Sequence, residues 1–443
     1  MTRRRSNSTS RKQRARQTAS VLGHASREEF PDWHESVQGG QLLKFLAKFV
    51  SRLRDEKPHG NQELFLDDVF VAQLLAFFNP SIRSLRTLED FSQTRQAQRH
   101  LSISKLAKST LSDFHRVVDP ELLGPIIQSL RRELQQRSVD GRLPTDLRDL
   151  TRQIIAVDGT FLHALSDVVW AVAARNQTAS ARKYRARLDV HIDVDTWLPE
   201  LITVPEVGES EADNAVRHIT PGAIHLYDRG YISFELMAAH FEQTPAGTWQ
   251  LRADFVIRTK QPGGNAIKYE TIEERSLSAA TQAAGITSDR LVRCINLPEQ
   301  TGVDVVLREV VFQGSDGKEC RLLTSLVELS VEAIALLYRQ RWQVELFIRW
   351  MKSHAQFRHL ISHSRSGVTL QFHVALIAML LMYVHTGYRP SKYLQVILGF
   401  VLGGEPLESA LEILRERERR RELDRQSAER RRAKARAAKK SGG

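Results

Sequence analysis

The sequence predicts an α/β fold that follows an all-helical N-terminal region, and three observations support this class. Apolar residues recur at helical spacing from residue 40 to about residue 134, as in the segment LLKFLAKFVSRL. Short segments typical of strands, alternating or apolar, then continue to about residue 324. Helical spacing returns in the segment that follows. Strand-rich sequence enclosed by helical segments predicts a sheet covered by helices.

Length and composition predict ordinary globular domains. The chain has 443 residues, 42% of them hydrophobic, which is enough for two or three domains with apolar cores. Its two cysteines and the absence of a CxxC motif fit a reducing cytoplasm and argue against a cysteine-bound zinc site. The polar N-terminus predicts no signal peptide. The most apolar run, residues 374–384, is about half a membrane span and is interpreted as a core helix, so no membrane partner is expected.

Positive charge is concentrated near the two ends of the chain. Of the net charge of +12, residues 1–16 contribute seven basic residues and no acid, and residues 415–440 contribute thirteen basic residues against five acids. The sequence between these segments is close to neutral. Such segments attract nucleic-acid phosphates without reading sequence. A solvated tail that only increases solubility is equally typical of this pattern.

The region before residue 145 is predicted to be a basic tail followed by a helical domain. Residues 1–30 are rich in Arg and Ser and lack periodicity, which predicts disorder. Residues 31–145 are interpreted as a helical domain that ends in the loop RSVDGRLPTD. Within it, SISKLAKSTLSDFHRVV has a polar and basic face with Ser109 and Thr110 near its middle. This face is typical of the second helix of a DNA-binding helix-turn-helix, but an ordinary bundle helix fits it equally well.

Two later segments share one design, in which a short apolar strand ends at an aspartate. In QIIAVDGTFLHAL the strand ends at Asp158, and in AIHLYDRGYISFELMAAHF it ends at Asp228. Active-site groups gather at such strand ends in sheets covered by helices. Either aspartate alone is more typical of a turn or a helix cap. Two aspartates at matching positions predict that their carboxylates lie together.

Further strand patterns divide the remaining sequence into domains. Between the two aspartates, RARLDVHIDVDTWLPELITV alternates and predicts a hairpin. Residues 245–324 contain short strands separated by Gly, Pro and Asp turns, and they are interpreted as a β-rich insertion. This insertion divides one domain into residues 146–244 and 325–400. Residues 401–443 are predicted to form a helix that continues into the basic tail.

The segment YRQRWQVELFIRWMK, residues 338–352, predicts a helix with one polar stripe. At about 100° per residue, Tyr338, Arg341, Glu345 and Lys352 fall within roughly 60° of one another. Apolar side chains, including two Trp and a Phe, occupy most of the remaining circumference, which is typical of a buried helix. The stripe is therefore expected to face a site rather than bulk water. The alternative is an exposed ion pair between Arg341 and Glu345.

These motifs predict a site with three carboxylates, those of Asp158, Asp228 and Glu345. Hard oxygen ligands without cysteine or HxxxH spacing favour Mg²⁺, with Mn²⁺ as a substitute, over zinc. Two such ions about 4 Å apart activate a water or a DNA 3′-hydroxyl and stabilise the leaving oxygen. Arg341 and Lys352 are predicted to hold DNA phosphate oxygens.

The spacing Y-x2-R-x3-E-x6-K within residues 338–352 resembles the YREK signature of DDE transposases of the insertion-sequence-four family. AVDGT around Asp158, DRGY around Asp228 and the β-rich block extend the resemblance to about residues 85–385. It implies a ribonuclease-H-like catalytic core interrupted by a β-rich insertion, with an N-terminal domain that binds transposon ends. It also implies cut-and-paste movement, often through a hairpin intermediate, within a homodimer.

The resemblance implies a role for each residue of the site. The three carboxylates bind two metal ions, and Tyr338, Arg341 and Lys352 contact the terminal phosphate. Arg258 and Lys260 in FVIRTK resemble the family's basic strand near the cleaved end, although a charge pair on an edge strand fits them equally well. The implied DNA partners are double-stranded terminal inverted repeats and target DNA.

One position departs from the family's pattern. Relatives that form hairpins carry a Trp on the last strand of the insertion, whereas this strand reads ECRLLTS, with Cys320 in that place. Trp249, Trp342 and Phe312 are alternative sources of an aromatic face for a flipped base.

The function that these patterns predict is that of a Mg²⁺-dependent DNA transposase in the cytoplasm of a prokaryote, associated with the nucleoid. Two alternatives stay open. One is a non-catalytic DNA-binding protein descended from a transposase, and the other is a ribonuclease-H-like nuclease without strand transfer.

Overall fold

The computed structural model describes residues 40–55, 64–79, 81–136, 143–147, 150–163, 172–173, 184–206, 208–259, 267–314, 317–354, 362, 364–388, 396, 400 and 405–441. Lys260 and the predicted tail of residues 1–30 lie outside these ranges. The chain divides into two compact units. Unit one comprises Met1–Phe114, Leu122–Leu130 and Ile377–Gly443, and unit two comprises His115–Glu121 and Arg131–Leu376.

The helices are α1 (Ala47–Asp55), α2 (Leu66–Phe78), α3 (Leu85–Ser92), α4 (Arg95–Gln98), α5 (Lys108–Val117), α6 (Gly124–Gln136), α7 (Glu211–Arg217), α8 (Phe234–Ala239), α9 (Ala279–Ala283), α10 (Asn296–Thr301), α11 (Val331–Gln340), α12 (Trp342–His354), α13 (Arg365–Thr386) and α14 (Leu407–Ser441). The strands are β1 (Ile154–His163), β2 (Val172–Ala173), β3 (Tyr184–Asp193), β4 (Pro199–Thr203), β5 (Ile224–Tyr227), β6 (Phe241–Gln243), β7 (Trp249–Leu251), β8 (Asp254–Thr259), β9 (Tyr269–Glu274), β10 (Ile286–Cys294), β11 (Val306–Gln313) and β12 (Glu319–Thr324).

In unit one, a buried acidic pair fixes the start of α2. Arg54 Nε lies 2.7 Å from Asp67 Oδ2, and its Nη2 lies 3.2 Å from Asp68 Oδ2. Burial and the neighbouring Asp68 charge raise the pKa of Asp67 to about 6. Asp68 also accepts a hydrogen bond of 2.8 Å from the backbone N–H of Ser102. This pair therefore ties α2 to the loop that leads into α5.

Unit two is organised around one ten-stranded mixed sheet. Its order is β2-β3-β1-β5-β8-β12-β11-β10-β9, with β4 paired to β3. β1, β3 and β4 are antiparallel neighbours, whereas β1, β5 and β8 run parallel to one another. β8 to β12 continue the same sheet with antiparallel pairs. The predicted α/β class is confirmed, and the predicted hairpin corresponds to β3 and β4.

Three local predictions are wrong in detail. β1 does not end at Asp158 but continues to His163, because its antiparallel pairing with β3 extends to that residue. The predicted helix of residues 338–352 is divided into α11 and α12 at Arg341. Arg341 itself has helical dihedral angles, φ −52° and ψ −32°. Of the two Trp expected on buried faces, Trp350 is buried but Trp342 is 47% exposed.

α13 contains the apolar run of residues 374–384. Among the residues that the structure describes, this helix alone is long and apolar enough to cross a membrane by length and composition. However, 89% of its most apolar 18-residue window is buried inside the protein. Such burial is typical of a core helix, which agrees with the prediction from sequence.

Candidate active site

The register of the sheet brings the two aspartate motifs side by side. In the parallel pair of β1 and β5, Ile154 is opposite Ile224, and the pairing continues for two further residues on each strand. Asp158 and Asp228 each lie four residues beyond the first paired residue of their strand. Neighbouring strands are about 4.8 Å apart. The two aspartates therefore occupy equivalent positions where this parallel pairing has ended.

Local hydrogen bonds orient the two carboxylates. Asp158 Oδ1 accepts a hydrogen bond of 2.9 Å from the backbone N–H of Gly159. Asp228 caps the short 3-10 turn Arg229–Tyr231, and its Oδ1 accepts from the backbone N–H of Arg229. Each side chain thus accepts a hydrogen bond from the residue that follows it, Asp158 within β1 and Asp228 at the start of a turn.

Glu345 lies in the first turn of α12, and Arg341 connects it to Asp158. Arg341 Nη2 donates to Glu345 Oε1, and its Nη1 lies 3.8 Å from Asp158 Oδ2. The Arg341 side chain is only 12% exposed, so this ion pair is not the exposed pair considered as an alternative. Arg341 Nη1 is buried and makes no hydrogen bond to the described residues.

The electrostatics of Asp158 show that the acidic side chains share one environment. Burial raises the pKa of Asp158 to about 7, against the opposing effect of the Arg341 charge. The negative charges of Glu345, Glu211 and Asp228 raise this pKa further. Asp228 and Glu345 therefore both lie close enough to act on Asp158, and a fourth carboxylate, that of Glu211, acts on it as well.

Glu211 was not found by sequence analysis. It is the first residue of α7, in the segment GESEADN, and no motif distinguishes it from the neighbouring Glu206 and Glu209. The only sequence signal is the capping box of Ser210 and Asp213, which marks a helix start at this point. That signal predicts where a helix begins but not where a side chain points. The direction of the Glu211 carboxylate is therefore known only from the structure.

Tyr338 and Lys352 lie around the same acidic groups. Tyr338 is buried, and burial raises its pKa, while the positive charges of Arg341 and Arg258 act in the opposite direction. Burial lowers the pKa of Lys352, and the negative charge of Asp158 opposes this shift. Arg258, on β8, is half-buried. Of the predicted basic pair on this strand, Lys260 lies outside the described residues.

The two polar residues predicted for DNA recognition lie in the other compact unit. Ser109 and Thr110 are both exposed on α5 and belong to unit one, whereas the acidic groups belong to unit two. Their exposure leaves both hydroxyls accessible to an external partner.

The side chains at the site suit a hard divalent cation, although they are not preassembled around one. In the ranges that the structure covers, no three His, Cys, Asp or Glu side chains are grouped closely enough to hold a metal ion. The Arg341 guanidinium instead bridges Asp158 and Glu345. A cation that replaced the guanidinium would meet carboxylate oxygens, which Mg²⁺ and Mn²⁺ prefer. The residues therefore fit such an ion once Arg341 moves.

Comparison with known proteins identifies similarities that cover this site. A model of the transposase DDE domain matches residues 149–381, more than half of the chain, and this range includes Asp158, Asp228 and Glu345. The chain is 37% identical over 290 residues to a protein of Geobacillus stearothermophilus named as the transposase of insertion sequence element IS5377. That alignment covers 63% of this chain and 66% of the relative.

Two further relatives carry names of the same kind. A protein of Sinorhizobium fredii named as a transposase is 28% identical over 199 residues, which cover 44% of this chain and 52% of the relative. A protein of Synechocystis named as the transposase of insertion sequence element IS4SA is 22% identical over 284 residues, 62% of this chain and 70% of the relative. The chain thus spans between about half and 70% of the length of these proteins.

Proposed function

We propose that this chain, which belongs to the transposase DDE family, cleaves DNA at transposon ends and joins those ends to target DNA. The observation that carries the proposal is the shared environment of Asp158, Asp228 and Glu345 inside the matched domain. A cut-and-paste reaction needs one site that serves both cleavage and joining. A divalent cation bound by these carboxylates would supply an activated oxygen nucleophile and stabilise the leaving oxygen.

We infer a ribonuclease-H-like core for the part of unit two that holds the acids. The order β4-β3-β1-β5-β8, with three antiparallel strands followed by two parallel ones, supports this inference. From sequence, residues 146–244 and 325–400 were assigned to the core and residues 245–324 to the insertion. β8 pairs in parallel with β5, so the insertion proper begins after β8.

The roles of the site residues follow from their charge and position. Asp158, Asp228 and Glu345 would hold Mg²⁺ or Mn²⁺, and two ions would serve the attacking and leaving oxygens. Arg341, released from the carboxylates when a cation replaces it, would bind a DNA phosphate, as would Lys352. Because the spacing of this stripe matches the YREK signature, we assign the chain to the insertion-sequence-four group.

Two further residues would extend the phosphate contacts of the site. Tyr338 would hydrogen-bond to the phosphate of the cleaved end. Arg258 lies close enough to Tyr338 for its charge to act on the Tyr338 hydroxyl. It would support the same DNA strand, together with Lys260.

We assign recognition of the terminal inverted repeats to the helical region of residues 31–145. The exposed Ser109 and Thr110 on α5 support this assignment, because hydroxyl groups on an exposed helix can reach phosphates and base edges. The basic residues of α14 would add contacts that do not depend on sequence. We further propose that the DNA complex contains two copies of the chain and forms on the nucleoid, in the cytoplasm of a prokaryote.

The proposal is tested by incubating the full chain with the genomic DNA that flanks its gene, in the presence of Mg²⁺, and by mapping breaks and new joints. We expect breaks at the element's ends and joints between those ends and target DNA. Binding without breaks would instead identify a non-catalytic DNA-binding protein. Breaks without joints would identify a nuclease.

A further inference from the structure

Glu211 occupies a defined position beside the two aspartate motifs. The capping box at the start of α7 uses the side chains of Ser210 and Asp213, which exchange hydrogen bonds with each other's backbone N–H groups. Asp213 is thereby committed to the helix end. Glu211, the residue between them that begins the helix, is free to direct its carboxylate away from the cap and toward β1.

The carboxylate of Glu211 lies against the glycines of both motifs. A Cβ added at Gly159, next to Asp158, would collide with Glu211 Oε1. A Cβ added at Gly230, two residues after Asp228, would lie 3.7 Å from Glu211 Oε2. The two oxygens of one carboxylate thus approach the backbone of both motifs. This close approach requires that at least the first position lacks a side chain.

The negative charge of Glu211 has no bonded counter-ion among the described residues. The positive charge of Arg187 acts on Glu211. However, the Arg187 nitrogens donate hydrogen bonds to Asp189 at 3.0 and 3.1 Å and to the backbone oxygens of Glu209 and Ser210. Glu211 itself makes no hydrogen bond or ion pair within the described ranges. Burial, with the Asp228 charge, raises the pKa of Glu211. A carboxylate in this setting is suited to binding a cation.

A second group points to a missing ligand at the same place. The Tyr231 side chain is 1% exposed, yet its hydroxyl has no hydrogen-bond partner in the described structure. Burial raises its pKa, and the charges that raise it further are led by Glu211, Asp189 and Asp158. A buried hydroxyl normally has a partner. Its position beside three acids therefore indicates that a polar ligand completes this region.

We propose that Glu211 is a fourth carboxylate ligand of the divalent cation site, beside Asp158, Asp228 and Glu345. This inference rests on the proposed function, because it assigns Glu211 to the same metal-binding centre. Four carboxylates carry four negative charges, which balance two divalent cations. Arg341 and Lys352 are then left to neutralise DNA phosphates. Tyr231 is a positioning residue, whose hydroxyl hydrogen-bonds within the completed site.

Metal binding by the full chain, in the absence of DNA, tests the assignment. The wild type is compared with Glu211→Gln, with Glu345→Gln as a reference and with Glu206→Gln as a matched control. Glu206 lies in the same loop, but its side chain is 66% exposed and pairs with Arg365. Free Mn²⁺ is measured by electron paramagnetic resonance, and the Mg²⁺-induced rise in melting temperature is measured in parallel.

We expect Glu211→Gln to weaken Mn²⁺ binding at least tenfold and to reduce the Mg²⁺-induced rise in Tm, as Glu345→Gln does, while Glu206→Gln changes neither. Without metal, Glu211→Gln should melt no lower than the wild type, because it removes one of several repelling charges. Wild-type Mn²⁺ affinity in Glu211→Gln, with or without a lower metal-free Tm, would overturn the inference and leave the proposed function intact. A wild type that binds no Mn²⁺ would overturn both.

A conservative variant keeps the test possible if Glu211→Gln does not fold. Glu211→Asp keeps the charge but shortens the side chain by one methylene. If Glu211→Asp folds and Glu211→Gln does not, we expect Glu211→Asp to bind Mn²⁺ more weakly than the wild type but by less than tenfold. Unchanged affinity in a folded Glu211→Asp would contradict a direct ligand, because a shorter side chain cannot keep the same coordination. Tyr231→Phe is expected to weaken Mn²⁺ binding by a smaller factor, two- to fivefold, by removing the positioning hydrogen bond.

Discussion

Arg341 Nη1 lies 3.8 Å from Asp158 Oδ2, so a guanidinium occupies the place where the proposed site would hold a cation. The same side chain also bonds Glu345. Positive charge between two carboxylates stabilises the metal-free site, and its displacement by Mg²⁺ would release an arginine for DNA. In the proposed mechanism this arrangement would link metal binding to phosphate binding through one side chain.

Arg341→Ala and Lys352→Ala are expected to weaken binding to a precleaved transposon end by roughly tenfold each, because each removes a charge-assisted phosphate contact. Affinity is measured with Ca²⁺ present to prevent cleavage. Arg339→Ala is the control, since Arg339 is an exposed cation on the neighbouring helix. Equal losses in all three variants would show that general charge, rather than the stripe, binds the end.

Glu345→Gln is expected to abolish cleavage and leave end binding within about threefold of wild type. The change removes a metal ligand and keeps the size of the side chain, and Glu345 is assigned no DNA contact. Glu328→Gln, at an exposed position before α11, is the control. Cleavage and binding are measured on the same labelled DNA. A matching loss of binding would mean that Glu345 supports the DNA surface instead of the chemistry.

The metal-free protein should lose stability as the pH rises toward 7, because the folded state holds a proton on Asp158. The unfolded pKa is near 4 and the folded pKa is about 7, so the stability from this group is complete below about pH 4 and lost as the pH passes 7. Asp158→Asn cannot titrate and should gain about 1–4 kcal/mol relative to wild type between pH 5 and pH 8. Urea unfolding in a chelator measures this difference.

Asp304→Asn is the control for the pH series. Asp304 is exposed and pairs with the equally exposed Arg293 at 3.4 Å. This variant reports the effect of removing one carboxylate from the protein surface, and the pH profile of Asp158→Asn is compared with it. If the difference in unfolding free energy between Asp158→Asn and wild type does not change with pH, Asp158 is ionised in the folded protein over the whole range.

The sequence predicted that the two aspartate motifs lie side by side because each motif is encoded in a few consecutive residues. The strand of residues 154–157 and the parallel strand before Asp228 each follow from a few apolar residues, and the sheet register then brings Asp158 beside Asp228. The stripe on residues 338–352 was predicted from helical spacing alone, and the structure divides this segment into α11 and α12 at Arg341.

Other features depend on contacts between distant segments, and the sequence could not supply them. β1 extends past Asp158 because β3 pairs with it as far as His163, and no local signal at Gly159 reports that partner. The direction of Glu211 depends on the space left by Gly159 and on Arg187 being bonded to Asp189. A single acidic residue among several in one loop gains its role only from this packing.

Gly159→Ala tests that packing. An added Cβ would collide with the Glu211 carboxylate and lie 3.2 Å from Asp189 Oδ1, so we expect a loss of about 1–3 kcal/mol in the free energy of unfolding. In a Glu211→Ala background most of this cost should disappear, which a double-mutant cycle measures. Gly124→Ala is the control, because a Cβ there meets nothing within 4 Å. Additive effects at Gly159 and Glu211 would show that the two are not in contact.

The last prediction separates sequence recognition from general attraction to DNA. In α14 the first charged turns pair internally, as Arg415 does with Glu408 at 2.8 Å and Arg419 with Glu416 at 2.9 Å. From residue 425 to residue 440 the chain has eight basic residues and one acid, so the net positive charge of this region is concentrated in that segment. Positive charge near a helix C-terminus also interacts favourably with the partial negative charge of the helix dipole there. This segment is expected to contact phosphates without reading bases.

Deleting residues 1–16 and 415–443 should therefore weaken binding to all DNA sequences alike. Each phosphate contact contributes about −0.9 to the slope of log affinity against log salt, so the slope should become shallower by several units. The ratio of end binding to random-sequence binding should persist, because recognition is assigned to residues 31–145. Replacing only the basic residues of 430–440 with Gln should produce part of the same change. If trimming removes the preference and leaves the slope unchanged, these segments read sequence and the helical region does not.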